Sequence, residues 1–203
     1  MKKPKLRELW EAIKALIRGP YTTKFPKVPS VPPPGFRGRP RYYPDECVGC
    51  NACAEVCPAR AIDVEDIKTG KRKGIRRLTH HYDICIFCGQ CQKACLTEKG
   101  IQLTDEYDLA LDDRSKAIDT AEKELVFCER CGHLVGAVDH IKWIAKKLGP
   151  LAFANPNILL MRHDELELLP TSLGEDKQAY KRADHLKVLC PQCRREVIFE
   201  EQW

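Results

Sequence analysis

Leu6, Leu9, Trp10, Ile13, Leu16 and Ile17 recur at three- and four-residue steps near the start of the chain. That period places them on one face of a helix over residues 5–18. Lys5, Arg7, Lys14 and Arg18 fall among the polar positions, and Gly19-Pro20 ends the helix. A basic helix with a tryptophan on its apolar side suits a membrane surface or a partner protein. Packing on the chain's own core is the simpler alternative. The period then breaks. Eight prolines lie between residues 20 and 44, three of them consecutive at Pro32, Pro33 and Pro34, which predicts an extended strap with few internal hydrogen bonds. Tyr21, Phe25, Phe36, Tyr42 and Tyr43 argue for a strap pinned to something, because a free linker has little use for aromatics.

Past the strap the chain repeats itself. Short runs suited to strands lie at Arg41-Tyr42-Tyr43 and Ala61-Ile62-Asp63-Val64, then at Thr79-His80-His81-Tyr82 and Gly100-Ile101-Gln102-Leu103. Each pair brackets a cysteine run, so residues 41–110 read as two copies of strand, turn into short helix, strand, related by a pseudo-two-fold. Between the copies, residues 68–77 are basic and contain Gly70 and Gly74. They predict a hairpin with a solvated, charged face. Farther on, the pattern predicts helices over residues 137–148, 157–169 and 175–189.

The cysteines give these elements a chemistry. Cys47, Cys50, Cys53 and Cys57 follow the spacing C-x2-C-x2-C-x3-C-P, and Cys85, Cys88, Cys91 and Cys95 repeat it, with Leu96 in place of the proline. Thiolates at this spacing hold two [4Fe–4S] clusters, with the fourth cysteine of each run ligating the other cluster. One cluster is therefore expected on Cys47, Cys50, Cys53 and Cys95, and the other on Cys85, Cys88, Cys91 and Cys57. Zinc prefers two CxxC pairs to such a run, and disulfides need an oxidising compartment. With all eight positions filled by cysteine, His80 and His81 read as strand-face residues. Four further cysteines form two knuckles, Cys128-x2-Cys131-Gly132 and Cys190-Pro191-x-Cys193, with 58 residues between them. Four thiolates make a closed tetrahedral site, expected to hold a structural zinc, with rubredoxin-like iron as the alternative.

Charge and composition narrow the function. There are 34 basic and 29 acidic residues, a net charge of +5. A nucleic-acid surface needs dense basic residues with stacking aromatics, whereas the C-terminal half mixes its basic residues with stretches such as Asp164-Glu165-x-Glu167. No nucleic-acid partner is expected. No run of about 18 apolar residues exists, so membrane association is expected to be peripheral. Abundant cysteine arranged for metals argues for a reducing cytosol. No nucleophile–base pair or phosphate-binding loop is present, so the chain is expected to carry electrons without catalysing a bond change itself.

The expected fold is α+β: an amphipathic helix (residues 1–19), a proline-rich strap (20–40), a bacterial-type two-cluster ferredoxin domain (41–110) and a mostly helical domain stapled by the four-cysteine site (111–203). This arrangement resembles the two-cluster ferredoxin-like subunit of complex I and of the related membrane-bound [NiFe] hydrogenases. The resemblance rests on the helix ending in Arg18-Gly19-Pro20-Tyr21-Thr22-Thr23-Lys24-Phe25-Pro26, on Phe36-Arg37-Gly38-Arg39-Pro40, and on the two cysteine runs followed by Thr104-Asp105-Glu106-Tyr107-Asp108-Leu109-Ala110. With the C-terminal cysteines, the chain is most similar to the formate hydrogenlyase-type iron–sulfur subunit.

The resemblance implies a peripheral place on the cytoplasmic side of the membrane, with the helix over residues 5–18 along the membrane surface. It implies a relay of single electrons between a donor module and a [NiFe] site. The implied partners are a hydrogenase-type large subunit, the adjacent [4Fe–4S] small subunit and membrane-arm subunits, with a formate dehydrogenase or ferredoxin as donor. The same relay in a quinone-, sulfur- or CO-linked relative is the main alternative. A soluble ferredoxin or a metal-stabilised interaction protein is a further one.

Overall fold

The computed structural model describes residues 5–19, 21–22, 24–166 and 185–200. It divides into two units, residues 1–36 and 37–203. The first unit is built on α1 (Leu6–Arg18). Glu8 accepts the Lys5 backbone N–H at 3.1 Å and closes the first turn. Gly19, at φ 73°, ends the helix by donating to the Ala15 carbonyl. No residue of α1 is buried, and its apolar stripe is open to solvent, with Leu6 86% and Ile17 80% exposed. Among the described residues, no helix or strand lies between Arg18 and Pro40.

The second unit holds two antiparallel sheets. β1 (Pro40–Tyr42) pairs with β4 (Ile101–Leu103), setting Tyr42 opposite Ile101. A four-stranded sheet runs in the order β2 (Ile62–Lys68), β3 (Lys73–His81), β5 (Ile118–Phe127), β6 (Leu134–Ala137). The first strand of each repeat thus pairs with the second strand of the other copy, as the pseudo-two-fold requires. The basic hairpin lies between β2 and β3, where Thr69 and Gly70 both donate to the Lys73 carbonyl. Single-turn helices α2 (Ala52–Glu55) and α3 (Gln90–Lys93) each carry the third cysteine of a run on their buried side.

β3 alternates cleanly. Gly74, Arg76, Leu78 and His80 are buried on one face, and Ile75, Arg77, Thr79 and His81 are half-buried on the other. The inward face packs into a core of Tyr42, Cys53, Ile62, Leu78, Cys91, Ile101 and Ala121. One cysteine from each run therefore meets in the same apolar cluster. The end of the strap is fixed to this unit: the Gly38 N–H donates to the Thr104 carbonyl, and the Arg39 guanidinium pairs with Glu106 at 2.6 Å and stacks over Tyr82.

β5 and β6 lie in the part read from sequence as mostly helical. The inward positions of β5 include Asp119 and Lys123 as well as Ala121 and Leu125, so no apolar alternation marked it. Both polar residues have partners. Asp119 accepts the Tyr42 N–H at 2.7 Å, tying β5 to β1, and Lys123 pairs with Asp139 at 2.7 Å. The helices that follow are α4 (Val138–Leu148), α5 (Pro156–Glu165) and α6 (Pro191–Glu200). The expected helix over 157–169 is α5, with residues 167–169 outside the described residues. Most of the expected helix over 175–189 lies outside them too, but its end is a correction: Val188 and Leu189 are buried without helical structure. The helix in this region starts instead at Pro191, whose missing N–H and fixed φ suit a first helical position.

Candidate metal centres

The backbone repeats itself around the two cysteine runs. Gly49 and Asn51 flank Cys50 with φ of 68° and 70°; Phe87 and Gly89 flank Cys88 with 51° and 78°. Three residues after the fourth cysteine of each run, Arg60 and Glu98 again have positive φ, 49° and 61°. Left-handed residues alternating with right-handed ones turn successive N–H groups inward and make an anion-binding concavity. At Phe87, Asn51, Arg60 and Glu98 the conformation is held against the intrinsic preference of an L-residue.

Those N–H groups reach sulfur. The Ala61 N–H lies 3.2 Å from Cys57 Sγ and the Phe87 N–H 3.4 Å from Cys85 Sγ. Thr97 Oγ1 lies 3.4 Å from Cys95 Sγ. Gly100 is needed for close approach, since a Cβ there would sit 3.0 Å from Cys47 Cα and 3.2 Å from Cys95 Sγ. Cys95 thus stands against Cys47 of the first run. The complementary arrangement is a small cavity lined by Cys57 together with Cys85, Cys88 and Cys91, and by Pro40, Ile62 and His80.

Burial pushes Cys53 up to about 11 and Cys91 up to about 12. Burial also works to raise Cys95, but the Thr97 hydroxyl and neighbouring backbone N–H groups outweigh it and lower that thiol. Thiols must lose their protons to act as ligands, so loading iron releases protons. The mixed cysteines of the cavity and the inward N–H groups fit two [4Fe–4S] clusters.

Tyr42 and His80 stand at matching positions, five residues before Cys47 and Cys85. Tyr42 Oη is 3.6 Å from Cys53 Sγ, and burial raises its pKa, keeping the hydroxyl protonated. Burial pushes the His80 imidazole down to about 4. The sequence places His80 on a strand face; the register turns that face toward the cysteine cavity. His81 instead faces Asp63 at 3.0 Å. Arg76, on the same inward face of β3, binds Asp66 through two contacts of 2.7 Å and donates to the Gly49 carbonyl at 2.8 Å. It pins the first cysteine run to the sheet. Arg76→Met leaves the Asp66 carboxylate and Gly49 carbonyl unpaired, and is expected to destabilise the chain by about 3 kcal/mol, read as a lower midpoint in a denaturant titration followed by circular dichroism.

The remaining four cysteines gather tightly. Cys128, Cys131, Cys190 and Cys193 offer sulfurs all within 4.8 Å of one another, with Cys131 Sγ and Cys190 Sγ 3.6 Å apart. A tetrahedral ion at the ordinary metal–sulfur distance sets sulfurs about 3.8 Å apart, so the site fits one four-coordinate metal and leaves no open position. The long gap is bridged by Asn157 of α5, which holds both polar groups of the Leu189 backbone, at 2.7 and 3.2 Å. Glu129 and Val188 exchange a further pair of bonds. Burial acts to raise Cys128, but N–H groups of Cys131, Cys190 and Arg130 hold it down at about 7; burial raises Cys193.

Comparison with known proteins agrees with this chemistry. The family model described as a 4Fe-4S dicluster domain matches residues 46–99. The chain is 34% identical over 99 residues to NAD(P)H-quinone oxidoreductase subunit I of Gloeobacter violaceus, covering 48% of this chain but only 47% of that protein. It is 32% identical over 115 residues to NADH-quinone oxidoreductase subunit I 2 of Geobacter metallireducens, covering 53% of this chain and 85% of that one. Formate hydrogenlyase subunit 6 of Escherichia coli is 29% identical over 186 residues, 91% of this chain and 87% of its own. Paired cysteine cradles, a 4Fe-4S dicluster match and these relatives lead to one conclusion: the chain belongs to the iron–sulfur family of NADH-quinone oxidoreductase subunit I, whose complex I-related members include formate hydrogenlyase subunit 6.

Proposed function

We propose that this chain is an electron-relay subunit of a membrane-bound hydrogenase of the formate hydrogenlyase type. The observation that carries the relay is the exchange of cysteines between runs: Cys57 lines the cavity of Cys85, Cys88 and Cys91, while Cys95 stands against Cys47. In this reading Cys47, Cys50, Cys53 and Cys95 hold one [4Fe–4S] cluster, and Cys85, Cys88, Cys91 and Cys57 hold the second. Such clusters supply one-electron storage at potentials set by their surroundings. The chain's own residues hold them, direct N–H groups at sulfur and exclude water. Leu78 shares one apolar core with Cys53 of the first run and Cys91 of the second.

The relation to formate hydrogenlyase subunit 6 over 91% of the chain favours a hydrogenase assembly. Its partners would be a [NiFe] hydrogenase-type large subunit, an adjacent [4Fe–4S] small subunit and membrane-arm subunits, with a formate dehydrogenase or a ferredoxin as donor. Two relatives are quinone oxidoreductase subunits, so the same relay in a quinone-linked complex is the second reading. Cys128, Cys131, Cys190 and Cys193 would hold a structural zinc, or iron as in rubredoxin.

No helix among the described residues is long and apolar enough to cross a membrane. The exposed stripe of α1 supports a peripheral attachment, apolar face down and basic residues at the headgroups; in this reading it lies on the cytoplasmic side. Replacing Leu9, Trp10 and Ile13 together with serine is expected to release the chain from solubilised membrane complexes, with its iron content unchanged. Full retention of the triple variant in the complex would contradict the attachment.

A further inference from the structure

His80 is 1% exposed, and its Nδ1 is buried with no hydrogen-bond partner among the described residues. An unpaired polar atom in the interior is costly and native structures rarely keep one. The ring lies on the wall of the cavity that Cys57, Cys85, Cys88 and Cys91 share. Neutral or charged, an imidazole carries at least one N–H, and the structure supplies no protein acceptor at Nδ1.

The pseudo-two-fold gives a second, independent indication. Tyr42 occupies the matching place in the first repeat: five residues before the first cysteine, on a strand, opposite a buried isoleucine. His80 is opposite Ile62 as Tyr42 is opposite Ile101. The Tyr42 hydroxyl points at sulfur, 3.6 Å from Cys53 Sγ. One position in each repeat thus places a buried polar side chain beside cysteines of a run, a hydroxyl at Cys53 in one copy and an imidazole on the wall of the Cys85, Cys88 and Cys91 cavity in the other.

We propose that His80 donates a hydrogen bond from its ring to sulfur of the cluster held by Cys57, Cys85, Cys88 and Cys91, and that this bond raises that cluster's reduction potential. Reduction adds negative charge to the cluster sulfurs, so a donor stabilises the reduced form more than the oxidised one. Replacing the donor with an apolar ring lowers the potential. His80 is a positioning and tuning residue, with no bond made or broken at it. The inference rests on the two-cluster reading above.

The test is a redox titration of the full chain, with clusters assembled without oxygen, followed by electron paramagnetic resonance. The signal missing from a Cys57→Ala chain marks the cluster in question. His80→Phe is expected to lower that cluster's one-electron equilibrium tenfold or more, about 59 mV, and to leave the other cluster in place. His80→Gln, which keeps an N–H donor, shifts it less. Tyr42→Phe moves the other cluster instead. Two intact signals with unshifted potentials in His80→Phe overturn the proposal.

A measurement on the unaltered chain stands whether or not the variants fold. With 15N-labelled histidine, pulsed resonance on the reduced cluster of the unaltered chain is expected to show a histidine nitrogen coupling. Absence of any histidine coupling overturns the hydrogen bond. An unaltered chain lacking all [4Fe–4S] signals would sink the cluster reading itself, and the role of His80 with it.

Discussion

Replacing Cys57 with alanine is expected to remove the cluster of the opposite run. Bound iron falls from about eight toward about four per chain, and the surviving signal belongs to the site of Cys47, Cys50 and Cys53. The reason is spatial. Cys57 is the last cysteine of the first run in sequence, yet it lines the cavity of Cys85, Cys88 and Cys91. The Ala61 N–H holds its sulfur at 3.2 Å in that orientation. Cys95→Ala is expected to act in mirror image, since Cys95 is packed through Gly100 against Cys47. Redox-monitored resonance of the two single variants checks both halves. A Cys57→Ala chain that keeps the signal of the second run and loses that of the first would contradict crossed ligation.

Removing the metal from the C-terminal site is expected to unfold residues 185–200 from the rest of the chain. Structural four-thiolate sites contribute about 10–16 kcal/mol of folding energy in isolated zinc peptides. Here the thiolates form much of the local core: Cys128, Cys190 and Cys193 are buried with Leu189 and Val197, and Val135 packs against them. Without the ion, four thiols crowd their sulfurs within 4.8 Å of one another with no metal to bind them, and α6 keeps Val197 in the local core and the Arg194 contacts to the Asn157 side chain and to the His185 and Lys187 carbonyls. Chelation, or Cys193→Ser, is expected to open this segment to protease at least tenfold faster while both [4Fe–4S] signals persist. Unchanged cleavage would mean that Asn157 and Glu129 hold the second knuckle without metal.

Much of this was readable from residue spacing because spacing was the physical constraint. The six apolar residues of α1 share a face whatever they meet, and the structure has the helix at Leu6–Arg18. Two identical cysteine runs force the same backbone turns, seen in the matched φ values around Cys50 and Cys88. The hairpin of residues 68–77 followed from its two glycines. What escaped were elements whose buried face is not apolar. Strand β5 turns Asp119 and Lys123 inward because β1 and α4 supply partners for them. Helix α6 turns its cysteine inward, while Ile198 and Phe199 remain exposed, so its apolar residues do not mark its packed face. His80 was legible as a strand residue, but only the register of β2 against β3 shows that it lines a cavity.

The inward face of β3 serves both cysteine runs. Arg76 binds the loop of the first cysteine run, Leu78 sits in the shared core, and His80 reaches the second cavity. Alternate residues of one strand thus address two sites in turn, which is how a single rigid element holds both in a fixed relation.

The most direct test of the relay is purification of the native complex from solubilised membranes through a tag on this chain, with metal analysis and identification of the accompanying subunits. The account predicts a [NiFe] hydrogenase-type large subunit and membrane-arm subunits, nickel, and about eight irons assignable to this chain's two clusters. Recovery of the chain alone, with the same iron and no membrane partner, would contradict it and make the protein a free ferredoxin.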